Sequence, residues 1–203
     1  MKNLFLLLTI ALIKINFLFA QPASDLSELL NKNESFQGSF NQIVYDNQGQ
    51  VIEEANGKVV FKKPHFFKWI YKKPHQNQII SDGELIYIYD PDLSQVIMSE
   101  FSQSKSSNPS LIFFQKNIEN FFKITTKSID GELWYHCQSI SDNTEYESLE
   151  LKFDSQDKVL AMKIIDRLKN KILVNFEDIQ TSIKINEATF LFNVPENVEI
   201  IKN

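Results

Sequence analysis

The 203 residues carry a formal charge of −5, from 26 acidic and 21 basic side chains, and are 43% hydrophobic and 12% aromatic. That length and apolar content suit one domain with a sizeable core, and the acidic balance argues against a nucleic-acid partner. Cys137 is the only cysteine, which excludes an internal disulfide, and the 17 phenylalanines fit either a packed interior or an apolar ligand cavity.

Met1 to Ala20 opens with Lys2, continues through an apolar core from Leu4 to Ile13 and ends on a small residue, the pattern of a secretory signal peptide. The apolar stretch is shorter than the ~20 residues that span a bilayer. Residue 21 is Gln, so the Cys that would carry a lipid anchor is missing. Residues 1–20 are read as a signal and 21–203 as a single exported, soluble domain. Loss of the signal, which holds two lysines and no acid, takes the charge from −5 to −7.

Asp25 with Glu28 three residues on gives a capping-box pattern, and Leu26, Leu29 and Leu30 then share one face of a short amphipathic helix. Phe36, Gly38, Phe40, Gln42 and Val44 alternate onto one face of a first strand, and Asp46 to Gly49 turns the chain back. Val51 to Phe61 reads as one long strand bent at Gly57, although Asn56-Gly57 also fits a hairpin turn. Phe66 to Tyr71 puts Phe67, Trp69 and Tyr71 on one face and Phe66, Lys68 and Ile70 on the other. Pro64 and Pro74 belong on turns, because proline cannot donate to a ladder. Ser81-Asp82-Gly83 and Asp90-Pro91-Asp92 supply turns on either side of a strand from Leu85 to Tyr89.

After Phe101 the chain becomes polar and Ser-rich from Ser102 to Ser107, hence a loop. Asn108-Pro109 then starts a helix. Leu111 to Phe114 is apolar all round and must be covered on more than one side, either as a core helix or as a lid over the mouth of a barrel. A second helical turn is expected from Asn117 to Phe122. Beyond it, Phe122 to Ile129, Asp130-Gly131 and Glu132 to Ile140 form a hairpin. Leu149, Leu151 and Phe153 alternate in a further strand. Val159 to Ile165, Ile172 to Ile179 and Thr189 to Val194 complete about ten strands, a mainly β antiparallel meander that curls.

The run Lys63-Pro64, Phe67-Lys68-Trp69, Pro74, Ser81-Asp82-Gly83 and Tyr89-Asp90-Pro91-Asp92-Leu93-Ser94-Gln95-Val96 resembles the outer-membrane lipoprotein carrier family, the periplasmic LolA proteins. The terminal Pro195, Val198, Ile200 and Ile201 fit the same pattern, and the likeness runs from about Asp25 to about Ile201. The resemblance implies an incomplete antiparallel β-barrel, a half-barrel closed by a lid of short α-helices, whose cavity shields lipoprotein acyl chains. It implies a cavity lined by Leu30, Phe40, Phe61, Phe67, Trp69, Tyr71, Leu111 and Phe114. Lys63 stands where the family usually has an Arg that clasps lid carbonyls. The implied partners are acylated lipoproteins, an inner-membrane ABC lipoprotein-releasing complex and an outer-membrane lipoprotein receptor, with the protein a monomer in the periplasm that needs no cofactor.

The residues offer no catalytic constellation. His65, His75 and His136 show no metal-ligand spacing, and His65 and His75 close two Lys-Lys-Pro-His runs that read as solvated turns. No nucleophile elbow, P-loop or dinucleotide fingerprint is present, and Asp90 and Asp92 around Pro91 make a turn rather than an acid/base pair. Cys137, in an apparent strand, reads as a buried thiol. Two other functions fit a half-barrel. One is a periplasmic sensor or interaction module, which a chain extension beyond the half-barrel would favour. The other is the related outer-membrane receptor, which would need the lipidated Cys that residue 21 lacks.

Overall fold

The computed structural model describes residues 22–101, 109–115, 117–142 and 144–202; the expected signal, the Ser102 to Ser107 loop and the Asn108 cap lie outside them. One α-helix, α1 (Pro22–Lys32), leads into β1 (Ser35–Tyr45), β2 (Val51–Lys62), β3 (Phe66–Lys73), β4 (Gln78–Asp82), β5 (Leu85–Asp90) and β6 (Gln95–Glu100). Two 3₁₀ turns, Pro109–Phe114 and Ile118–Asn120, precede β7 (Phe122–Ile129), β8 (Glu132–Ser139), β9 (Tyr146–Phe153), β10 (Val159–Asp166) and β11 (Lys171–Thr181). A third 3₁₀ turn, Glu187–Phe190, comes before β12 (Glu199–Lys202).

The twelve strands among the described residues form one sheet in the order β12-β6-β5-β4-β3-β2-β1-β11-β10-β9-β8-β7. β12 and β7 end that order, so the sheet stays open. Consecutive neighbours run antiparallel and β1 closes on β11, but β12 lies parallel to β6. The expected incomplete barrel is therefore present, mainly β, with twelve strands rather than about ten. Gln78–Asp82 was hidden because the Ile79-Ile80 run is short. Its turn needs only two residues, held by Asp82 Oδ1, which accepts from the Glu84 and Leu85 backbone N–H groups at 3.0 and 2.9 Å.

Val51–Lys62 is one strand, as expected, and its pairing with β3 shifts between Asn56 and Gly57. A Cβ on Gly57 would sit 1.9 Å from the Ile70 carbonyl oxygen and 2.7 Å from the Phe40 ring, so only glycine fits that close approach. The lid expectation needs correction in kind. Among the described residues only α1 is an α-helix, and it starts at Pro22, one turn before Asp25; the other pieces are 3₁₀ turns. The stretch Thr189 to Val194 is not a strand. Asn186 Oδ1 accepts from the Ala188 N–H at 3.0 Å and starts the 3₁₀ turn, after which the chain runs across the outside of the sheet without joining a ladder.

That outer strap makes a second apolar layer. Phe190 is fully buried with its ring 5.5 Å from Phe66, and Phe192 lies 5.2 Å from Tyr87 and 5.6 Å from Tyr89. Ile80, fully buried, shares this outer face with its register partner Tyr87. The main core lies on the opposite, inner face, where α1 and the first two 3₁₀ turns meet the alternating residues of β1, β2, β3, β8, β9, β10 and β11.

Candidate functional site

Period-two alternation on paired strands brings Phe36 and Phe40 of β1, Phe61 of β2, and Phe67, Trp69 and Tyr71 of β3 onto the inner face. Their rings touch in sequence. Phe36 stacks on Phe61 at 4.7 Å, Phe61 on Phe67 at 5.7 Å, and Phe40 packs against Trp69 at 4.7 Å and Tyr71 at 5.3 Å. Each such pair is worth roughly 0.5–1.5 kcal/mol beyond its burial.

The lid adds Leu26 and Leu30 from α1 and Leu111, Ile112, Phe113 and Phe114 from the first 3₁₀ turn. Phe113 meets Phe36 at 5.4 Å and Phe61 at 5.2 Å, and Phe114 meets Phe61 at 5.2 Å and Phe67 at 6.0 Å. The lid thus fills the space it roofs. A pocket lined by Leu30, Phe36, Phe61, Lys63, Phe113 and Phe114 among others has only about 20 Å³ of internal room, enough for about one water.

Lys63 follows β2, where its N–H donates to the Glu34 carbonyl at 2.8 Å and continues the β1–β2 hairpin toward the lid. Its Nζ donates to the Leu30 carbonyl at 2.7 Å and reaches the Asn31 Oδ1 at 3.4 Å. The end of α1 has further ties, an ion pair between Lys32 and Asp157 and a bond from Asn33 Nδ2 to the Asp157 carbonyl at 3.0 Å. A hydrogen bond from a charged donor is worth about 1.5–3 kcal/mol. Burial of the six lid side chains, at roughly 1.5–3 kcal/mol each, is the larger contribution. Apolar contact holds the lid, and Lys63 biases one end of it.

The interior is electrically neutral. Burial, then the charge of Glu53, pushes the Tyr71 phenol up to about 12, and burial, then the nearby Cys137, does the same to Tyr146. Burial, reinforced by Glu150, pushes the Cys137 thiol up to about 12. Among the described residues the one buried carboxylate, Glu150, alternates with Leu149 and Leu151 and so points to the outer face. There it accepts from Lys127 Nζ at 3.1 Å and Lys163 Nζ at 2.6 Å, with His136 Nδ1 at 3.1 Å.

Of the residues expected at the cavity, Leu30, Phe61 and Phe114 line the small pocket, together with Lys63, expected as the lid clasp. Phe40, Phe67, Trp69 and Leu111 are buried in the same core without lining that pocket, and Tyr71 packs at its margin with its hydroxyl donating to Gln42 Oε1 at 3.2 Å. Phe36 and Phe113 belong with them although the sequence reading leaves them out; alternation with Phe40 and the all-round apolar turn mark both. Among the described residues no cluster of His, Cys, Asp and Glu is suited to a metal. His65 rests on the Phe101 ring at 4.2 Å, and the exposed His75 pairs with Asp92 at 2.8 Å.

An open sheet with an aromatic, neutral inner face roofed by short helical pieces defines a lidded half-barrel with an apolar interior. Residues 31–193 match the outer membrane lipoprotein carrier protein LolA family, and the chain belongs to that family. An outer-membrane lipoprotein carrier protein of Francisella philomiragia is 32% identical over 204 residues, covering 99% of this chain and 98% of the relative. Another, from Francisella tularensis subsp. novicida, is 30% identical over 187 residues, with 92% and 91% covered. Among solved structures, an uncharacterized conserved protein of Thermus thermophilus shares the fold with a TM-score of 0.58 at 12% identity, over 90% of this chain and 100% of that one.

Proposed function

We propose that this protein is a periplasmic carrier that shields the acyl chains of lipoproteins between the inner membrane and an outer-membrane receptor, with residues 1–20 as its export signal. The observation that carries this reading is the neutral aromatic inner face, filled by a lid whose own apolar side chains can be exchanged for hydrocarbon. Each methylene taken out of water is worth about 0.8 kcal/mol, so free lipoprotein chains would aggregate or enter the first membrane they met. Phe61, Phe67 and Trp69 offer dispersion contacts with no fixed hydrogen-bond pattern, so cargo selection is broad. The relatives' description as lipoprotein carriers supports the reading.

Loading from an ABC lipoprotein-releasing complex and delivery to a receptor follow as partners, with the carrier acting as a monomer and binding no nucleotide. Downhill delivery requires the receptor to bind the chains more tightly, at about 1.4 kcal/mol for each tenfold step. Depletion of the protein tests the function. Lipoproteins destined for the outer membrane are expected to accumulate at the inner membrane; normal arrival in depleted cells would overturn the carrier reading.

A further inference from the structure

Two open grooves flank the lid on the outside, and they differ in charge. One, of about 620 Å³, is lined by Glu34, Lys63 and His65 among others. The other, of about 510 Å³, runs between the first 3₁₀ turn and the starts of β7 and β9. Its lining includes no Asp, Glu, Lys, Arg or His among the described residues, in a chain that is 23% charged. Its floor is Ile112, Phe122 and Tyr146, all members of the main core. Its rim carries Phe121 at 43% exposure and Ile140 at 61%, joined where the Ile140 N–H donates to the Phe121 carbonyl at 3.1 Å.

We propose that this apolar groove receives a hydrocarbon chain of the cargo on the outer side of the lid, as the place where a chain first docks before it passes underneath. The proposal rests on the carrier reading. Three observations select the occupant. None of the described lining residues is charged, and the one cation bonded to them among the described residues, the Arg167 guanidinium, is engaged by the Ser141 and Thr144 oxygens, so an ionic group is poorly matched there, which disfavours a charged peptide and favours hydrocarbon. The floor is continuous with the aromatic core through Ile112, so a chain lying there touches the lid residue it must displace. The room outside the lid, about 510 Å³, far exceeds the roughly 20 Å³ beneath it, so first contact is made outside.

The test uses the full mature chain and a synthetic tripalmitoylated cysteine lipopeptide as probe. A photoreactive benzophenone side chain is placed at Ile140 in one variant and at Leu29, which lines the pocket under the lid, in another. Crosslinking to the lipopeptide from both positions is expected, with Ile140→Asp slowing loading at least fivefold, Ile140→Leu restoring it, and thermal unfolding unchanged in each. Crosslinking from Leu29 but not Ile140 would overturn the groove and leave the carrier standing, whereas failure at both would sink the carrier reading itself. If Ile140→Asp loads normally but hands over poorly to receptor-bearing membranes, the groove is a protein interface and the proposal fails.

Discussion

Lys63 sets a balance at the lid that depends on the shape of one side chain. Its ammonium supplies a compact charge to the Leu30 carbonyl and the Asn31 amide oxygen, where a guanidinium would offer five donors in a planar fork. Lys63→Arg is expected to slow hydrogen exchange across α1, measured at Leu26 to Leu30; equal exchange in both proteins would remove position 63 from control of the lid. Glu150 gives a second prediction at this scale. Burial alone would raise its carboxyl, but hydrogen bonds from Lys163 and Lys127 outweigh burial and hold it below the ordinary carboxylate range. A lowered folded pKa contributes stability above the unfolded value, lost as pH falls through the folded one. Glu150→Gln is therefore expected to cost about 1–3 kcal/mol at neutral pH. Denaturant unfolding should show the difference shrinking as pH falls below the ordinary carboxylate range, and a difference unchanged by acidification would contradict the linkage.

The outer strap shows how an element's sequence pattern and its backbone pairing separate. Phe190, buried, is followed by exposed Leu191 and then by Phe192 packed on Tyr87, as in a strand. The period-two pattern arises from packing against the face of a sheet, not from pairing within it, and sequence alone carries no mark of the difference. Strand β4 is the converse. Its outer Ile80 is buried by that strap as its inner residues are by the core, so no polar alternation betrays it. The aromatic strands β1 to β3 were legible because their inner faces bury rings while outer positions such as Lys58 and Lys68 stay polar. The groove beside the lid was not, because Phe121 and Ile140 come together only through the β7–β8 hairpin. Phe190→Ala should cost ~3–5 kcal/mol in denaturant unfolding, with Leu191→Ala near neutral; similar small losses at both would mean that the strap does not hold the outer layer.

At the scale of the whole molecule, the two apolar layers are unequally distributed. The outer face of β3 to β5 is covered by the strap, whereas β8 to β10 present Trp134, His136, Glu150 and Lys163 on theirs. The half of the half-barrel that carries charge outside therefore lacks the second apolar layer that the strap supplies to the other half. The filled interior has a consequence for affinity. If the protein carries acyl chains as proposed, Phe113 and Phe114 occupy the room those chains would take, which makes them a competing ligand tethered to the site, present at an effective concentration that dilution never lowers. Cargo affinity is reduced by the fraction of molecules in which that competitor is seated. Phe114→Ala is expected to tighten lipopeptide binding several-fold in equilibrium titration while slowing release to an acceptor. Weaker binding in that variant would mean that the ring contacts cargo more than it excludes it. The same two phenylalanines would then set, in one protein, how firmly a lipid is held and how readily it is surrendered.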